Sequence, residues 1–324
     1  MADLDLLDRK ILFELDLNAR IPASSLAKKL RRSKDTINFR INRLFQKGYL
    51  KGTYTVCNTS KLGYYYYKVY IKFKNITPER EQELLLYISK SDNIAYLASV
   101  EGHYDCIFLI MVRSAKDMAG FMDPFVERFG NFIQEKDIAV FLTAHRLNER
   151  FLFAGKERQD LHYPVEIGNY PLDALERGIL GLLSTNARMT AAELAEKLGA
   201  EHHTVSYRIK KLEHDGIVLG HATAPNFERL GLLFIQLNIS LKNPRARKSV
   251  IGYFEKTDSC LFAIELLGKY DLTIELHVPH TDELRRIMDG FRVAFVHDYN
   301  DYDVLIINKE YLMVWNPFGK EAKK

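Results

Sequence analysis

The chain is poor in cysteine and has no long apolar run. Its three cysteines, Cys57, Cys106 and Cys260, are scattered through 324 residues without a C-x-x-C pair. That usage offers neither a disulfide framework nor a thiolate metal knuckle, and it suits a reducing cytoplasm. Unbroken apolar stretches such as residues 107–112 fall far short of the roughly 20 residues that span a bilayer, so no membrane partner is expected. Residues 1–17 alternate acidic and apolar side chains, unlike a signal or transit peptide. Walker loop, GxGxxG and nucleophile elbow are all missing, and no catalytic constellation or cofactor is expected. No metal site is expected either. His277 and His280 in "HVPH" are three apart at a strand end, where the strand period sends them to opposite faces. "DYNDYD" at 298–303 lacks the glycine and closing Glu of a calcium loop.

What the chain does contain is ordinary for a folded protein, at 47% hydrophobic and 27% charged residues with a net charge of +4. Its length allows two to four compact units. An internal repeat settles the organisation. A shift of 168 aligns Leu4-Asp5 with Leu172-Asp173, Asn18-Ala19-Arg20 with Asn186-Ala187-Arg188, Arg40-Ile41 with Arg208-Ile209, and Leu62-Gly63 with Leu230-Gly231. After a slip of two residues, Gly102, Tyr104 and Asp105 align with Gly268, Tyr270 and Asp271. A register kept this long marks a duplicated module. The mixed-charge, Gly- and Pro-containing stretch 154–171 reads as a linker between the copies.

Each copy changes period halfway. Leu4, Leu7, Ile11, Leu12 and Leu15 recur at helical spacing, Leu26, Ala27 and Leu30 follow in a short second helix, and Ile37, Ile41 and Leu44 mark a third that stops at Gly48. With a small hairpin after it, this outlines a winged helix-turn-helix over 1–60 and again over 172–228. Period two then takes over: Tyr67, Val69, Ile71 and Phe73 share one face, as do Ile235, Leu237, Ile239 and Leu241. A helix near 78–90, strands near 94–100 and 105–112, a helix near 115–129 and a strand near 137–143 give the order βαββαβ. The expected class is α+β: two copies of a winged helix-turn-helix followed by a ferredoxin-like sandwich at 61–153 and 229–324. "CIFLIMV" at 106–112 is apolar on both faces, so the open face of its sheet should be covered, with the other copy the nearest candidate.

These pieces in this order resemble the Lrp/AsnC family, the feast/famine regulators of bacteria and archaea. The resemblance rests on "LDLLDRKIL…NAR", "TINFRINRLFQKGYLKG", "NTSKLG" and "EGHYD" in the first copy. In the second it rests on "LDALERGIL…NAR", "TVSYRIKKLEHDGIVLG", "NFERLG" and "LGKYD". It implies transcription regulation in the cytoplasm of a prokaryote, with double-stranded DNA bound by the third helix. It also implies an amino-acid effector near the G-x-Y-D turn, at Gly102, Tyr104 and Asp105 and at Gly268, Tyr270 and Asp271. The plainer reading of that turn is a hairpin capped by its Asp. Family members usually carry one module and pair through their sandwiches, so a tandem chain suggests an intramolecular pseudo-dimer and leaves further homo-oligomerisation open.

Charge separates the copies. Residues 28–47 carry eight basic residues against the single acid Asp35, whereas residues 196–215 carry four of each. Because phosphate neutralisation supplies most sequence-independent affinity, the first copy is expected to hold the DNA. Arg31 and Arg32 suit backbone phosphates, Lys34, Thr36, Asn38 and Arg43 remain for base edges or phosphates, and Lys28 is a further DNA-binding candidate. Arg40, shared as Arg208, ranks below them as a structural residue paired with an acid. Two other readings share the scaffold. One is an enzyme resembling the siroheme decarboxylases, which place His and Arg together in the second sandwich strand; "NIAYLASV" and "CLFAIELL" contain neither. The other is a metabolite sensor without DNA contact.

Overall fold

A computed structural model describes residues 4–147, 150–152, 160–163 and 166–319; residues 154–159 and 164–165 of the expected linker and the first three residues lie outside that set. The first copy contains α1 (Leu6–Leu17), α2 (Ala23–Leu30), α3 (Lys34–Gln46), β1 (Leu50–Cys57), β2 (Tyr65–Phe73), α4 (Pro78–Lys90), β3 (Ile94–Glu101), β4 (Cys106–Val112), α5 (Ala115–Phe129) and β5 (Ile133–Leu147). Within the expected linker, Asp160–Tyr163 form β6, paired with β5. The second copy repeats the plan as α6 (Ala174–Leu183), α7 (Ala191–Leu198), α8 (His202–His214), β7 (Val218–Pro225), β8 (Leu233–Leu241), α9 (Arg247–Glu255), β9 (Cys260–Leu267), β10 (Leu272–Val278), α10 (Thr281–Phe295) and β11 (Tyr299–Met313). The class is α+β.

Helix starts follow the local chemistry. The Asp5 carboxylate accepts the Asp8 N–H at 2.9 Å, and Ser33 Oγ accepts the Thr36 N–H at 3.1 Å. Asp173 with Glu176 and Thr190 with Glu193 form capping boxes. Each cap occupies amide donors that a helix N-terminus leaves open.

The wings differ from expectation. Among the described residues, no wing hairpin forms within either copy. Instead β1 pairs antiparallel with β7 of the other copy, placing Tyr54 opposite Ala222, its own equivalent in the repeat. A local pseudo-twofold axis therefore passes between these two residues. The exchange also reaches the cores. Leu230 and Leu232 from the second copy complete the core around α1–α3, while Cys57 and Leu62 complete the one around α6–α8. Two arginines clasp the heads across the axis. Arg20 Nη1 donates to the carbonyls of Ala187 at 2.5 Å and Met189 at 2.9 Å, and Arg188 Nη1 donates to that of Ala19 at 2.6 Å.

The period-two halves do not stay separate sandwiches. Within each copy the order is β5-β2-β4-β3 or β11-β8-β10-β9, antiparallel throughout. β5 and β11, at 15 residues, are twice the length expected. Each pairs with its own copy over its first half and with β9 or β3 of the other copy over its second. Eight strands thus close into a ring, with β6 outside on β5. The side chains of β4 divide as its two-sided apolar pattern requires. Ile107, Leu109 and Met111 enter a core shared by both copies, and Phe108, Ile110 and Val112 pack under α4 and α5. The other copy covers the inner face.

Candidate nucleic-acid interface

The corner between α2 and α3 carries the cluster of charge. α2 ends at Arg31, which adopts φ 53°, ψ 54° in the left-handed region, where a glycine would be relaxed. Its equivalent in the second copy is Gly199 at φ 61°. The first copy thus keeps an arginine where the backbone favours glycine, and the side chain has to justify the strain. Ile37, Ile41 and Leu44 seat α3 on its neighbours, leaving Lys28, Arg31, Arg32 and Lys34 exposed around its N-terminus and Lys47 at its end. None of these five makes an ion pair among the described residues. A helix N-terminus flanked by unpaired cations suits phosphate. Thr36 and Asn38 are half-buried on the same helix, and the Thr36 hydroxyl lies 2.8 Å from Ser33 Oγ.

Arg43 is placed differently from the other candidates. It is ion-paired with Asp8, whose side chain is fully buried. Arg40 joins the same cluster, 2.5 Å from Asp5 and 3.1 Å from Asp8. The second copy repeats the clamp: Arg208 lies 2.9 Å from Asp173 and 3.1 Å from Glu176, and Lys211 lies 3.5 Å from Glu176. These shared cations tie the third helix of each head to the first. On α8 they account for two of the three Lys and Arg residues, leaving Lys210 exposed, as are His202 and His203 two turns earlier.

Charge counting missed one residue. Phe39 is 66% exposed on α3, and its equivalent Tyr207 is 63% exposed on α8. A large apolar ring held in water at the middle of both third helices is unusual, and it suits contact with a thymine methyl in the major groove. The available signal was its position between the inward-facing Ile37 and Ile41 at a spacing that forces it outward.

The G-x-Y-D turns keep Gly102 and Gly268 exposed and send both tyrosines into the core shared by the copies. Tyr104 is fully buried; its Oη donates to Asp137 at 2.5 Å and lies 3.3 Å from Tyr270 Oη, while Tyr270 donates in turn to Asp303. Burial, together with the neighbouring carboxylates, pushes both phenols far above their ordinary range. Gly102 sits at φ +139°, and a Cβ there would lie 2.7 Å from the Val304 carbonyl of the other copy. Asp105 and Asp271 accept the backbone N–H groups of Phe73 and Leu241, each at 2.7 Å. A Cβ at Gly268 would likewise lie 2.9 Å from the Ala139 Cβ of the first copy, so all six residues are engaged in closing the turns and joining the copies. A polar pocket of about 790 Å³ adjoins Asp105, lined also by Lys72, Lys74, Glu81 and Asn308.

His277 is buried, with its ring stacked 3.6 Å from that of Phe227, whereas His280 caps α10; they do not face one another. No group of three or more His, Cys, Asp or Glu among the described residues is arranged to hold a metal. No described helix is long and apolar enough to cross a membrane.

Two helical heads, each with a third helix seated on an ion-pair clamp and presenting its outer face to solvent, define a winged-helix DNA-binding protein. A winged helix-turn-helix DNA-binding family matches residues 4–51 and again 172–218. The regulatory protein AsnC of Escherichia coli K12 is 27% identical over 146 residues, covering 45% of this chain and 95% of the relative. An uncharacterised HTH-type transcriptional regulator of Pyrococcus furiosus is 32% identical over 143 residues, covering 43% of this chain and 95% of its own length. The chain belongs to the Lrp/AsnC family of transcription regulators, as two modules in tandem. Along its whole length the fold resembles the siroheme decarboxylase NirDL, with a TM-score of 0.64 at 14% identity over 98% of this chain and 97% of that one.

Proposed function

We propose that this chain is a sequence-specific regulator in which one polypeptide takes the place of a pair of subunits, with the α3 head as its main DNA surface and the α8 head as a weaker one. The observation that carries this reading is the set of five exposed, unpaired cations around α3, against an α8 surface whose Arg208 and Lys211 are held by acids. Phosphate contacts from Lys28, Arg31, Arg32 and Lys34 would place the helix, and Thr36, Asn38 and Phe39 would meet base edges. Arg43, tied to Asp8, would act chiefly by holding α3 in place. Each four-strand unit with its two helices is read as ferredoxin-like in strand order, joined to its twin by the long last strands.

One strong head per chain favours two chains on a palindromic site. A DNA footprint combined with the mass of the complex from light scattering tests this. Two protected half-sites at a two-chain mass support the reading, and equal protection by both heads of a single chain counts against it. An amino acid is the natural effector class for the polar pocket beside Asp105, where Lys72 and Glu81 offer both signs of charge.

An enzyme on the same fold is the alternative, since NirDL is a decarboxylase. A cation cluster on an exposed third helix is what a DNA surface requires, so we read this chain as non-catalytic and cytoplasmic. Soret-region absorbance in the purified protein would reverse that ranking.

A further inference from the structure

A second space lies away from both the DNA-facing surface and the G-x-Y-D turns. It sits between the β1–β7 ribbon and the closed sheet, a narrow slot of about 80 Å³, or about 1060 Å³ counting its open mouth. Its walls are mainly aromatic, with Tyr66, Tyr96, Phe141, Phe234, Phe262 and Trp315 among them. Charged groups also line it: Lys51 is paired with Glu310 and Arg146 with Asp16, while other polar atoms of the lining are unsatisfied. Among the described residues, the Nε1 of Trp315 and the hydroxyl of Tyr163 are buried without a hydrogen-bond partner. Lys68, 2% exposed, gives one hydrogen bond to Gln236 at 2.8 Å and stands 3.9 Å from Glu275.

Unmade hydrogen bonds in a buried site each cost roughly 1–3 kcal/mol, so native structures seldom keep two together. Here both belong to groups able to donate, and the tryptophan N–H can only donate. An occupant that satisfies them must bring acceptors. The aromatic walls and narrow gap call for a flat, largely apolar body, the usual composition of a small-molecule site. Burial lowers Lys68 to about 8, which leaves it protonated at neutral pH and able to take an anion.

We infer that this slot binds a flat, mostly apolar carboxylic acid, its carboxylate on Lys68 and its ring system between the aromatic walls. The roof is made of Tyr54, Thr223, Ala224 and Pro225, in strands that begin a few residues after α3 and α8. An occupant would therefore press on the ribbon that carries both heads. That last consequence rests on the regulator reading; the ligand site does not.

Trp315 is the only tryptophan in the chain, so it reports on the slot directly. Anilinonaphthalene sulfonate, a flat aromatic anion, is titrated into the full chain without DNA while tryptophan is excited. We expect sensitised probe emission that 2-naphthoate displaces about tenfold more strongly than uncharged 2-naphthamide, the scale of one charge-assisted hydrogen bond. Lys68→Met should erase that preference while the probe still binds. Ala144→Leu, which fills a lining position, should abolish sensitised emission while circular dichroism and DNA binding stay intact. Absence of sensitised emission in the unaltered protein, emission indifferent to Ala144→Leu, or equal displacement by acid and amide would each overturn the proposal. DNA binding that fails while these results hold would strike the regulator reading alone.

Discussion

Lys68 donates a hydrogen bond to Gln236 at 2.8 Å, and Gln236 is the residue that occupies the position of Lys68 in the second copy. In a dimer of identical modules this site would bring two lysines together at the centre of the ring. Fusion into one chain lets the two positions differ, and the pair continues to Asn238, which also accepts from Tyr70 and Thr273. Duplication has thus been used inside the core as well as on the DNA face. Gln236→Lys should restore the like-charge pair and destabilise the fold by roughly 3–5 kcal/mol, as an uncompensated buried charge does. Chemical denaturation measures this, and a loss under about 1 kcal/mol would contradict it.

The same lysine gives a pH signature. Burial lowers its folded pKa from 10.5 to about 8. Between those values the unfolded chain binds the extra proton, so stability from this group rises with pH across the window. The full effect is roughly 3 kcal/mol. Cys57, pushed by burial up to about 12, acts in the opposite sense above pH 9. The comparison is therefore best made between the unaltered protein and Lys68→Gln at pH 7.5 and pH 9. The unaltered protein should gain relative to the variant as pH rises.

Arg31 separates folding from function. Its left-handed backbone costs about 1 kcal/mol that glycine avoids. Arg31→Gly should raise stability by about that amount. It should also weaken duplex binding and reduce the salt slope by about 0.9. A variant that is both less stable and unchanged in DNA binding would remove Arg31 from the interface.

Phe39 predicts a difference between the heads. Phe39→Ala should lower DNA affinity about fivefold, roughly 1 kcal/mol, the scale of burying about 40 Å² of apolar surface. Tyr207→Ala on the weaker head should change it little. Thermal melts of both variants should match the parent, because each ring is mostly in solvent.

The arginine clasp predicts how firmly the heads are joined. Arg20→Ala leaves two carbonyls without their donor and should cost about 1–3 kcal/mol, expressed as faster amide exchange around residues 186–189. Arg188→Ala should do the same around residues 19–21. Exchange unchanged in both would show that the β1–β7 ribbon alone fixes the heads.

Much of this was readable before the fold. Helical and strand periods placed α3, α4, α5, β3 and β4 within a residue or two, because the three helices have one apolar face and a capped start and the two strands are short apolar runs. The buried inner face of β4 followed from its unbroken apolar run. Partner choice was not readable. The alternation of β1 tells that it pairs, not that its mate lies 168 residues away, and a hairpin was the economical reading. Closure of the ring depends on β5 running to Leu147, through mixed residues whose pattern ended for us near 143. At the interface, counting found the basic corner but could not see Asp8 holding Arg43, since that contact joins helices far apart in sequence. It passed over Phe39 because the ring carries no charge.

Duplex affinity across a salt series, for two triple variants, tests the central claim most directly. Replacing Arg31, Arg32 and Lys34 together should cost orders of magnitude at low salt and flatten the salt dependence by close to three counterions. Replacing His202, His203 and Lys210 should shift affinity only slightly. Equal losses from the two sets would contradict the division of labour between the heads.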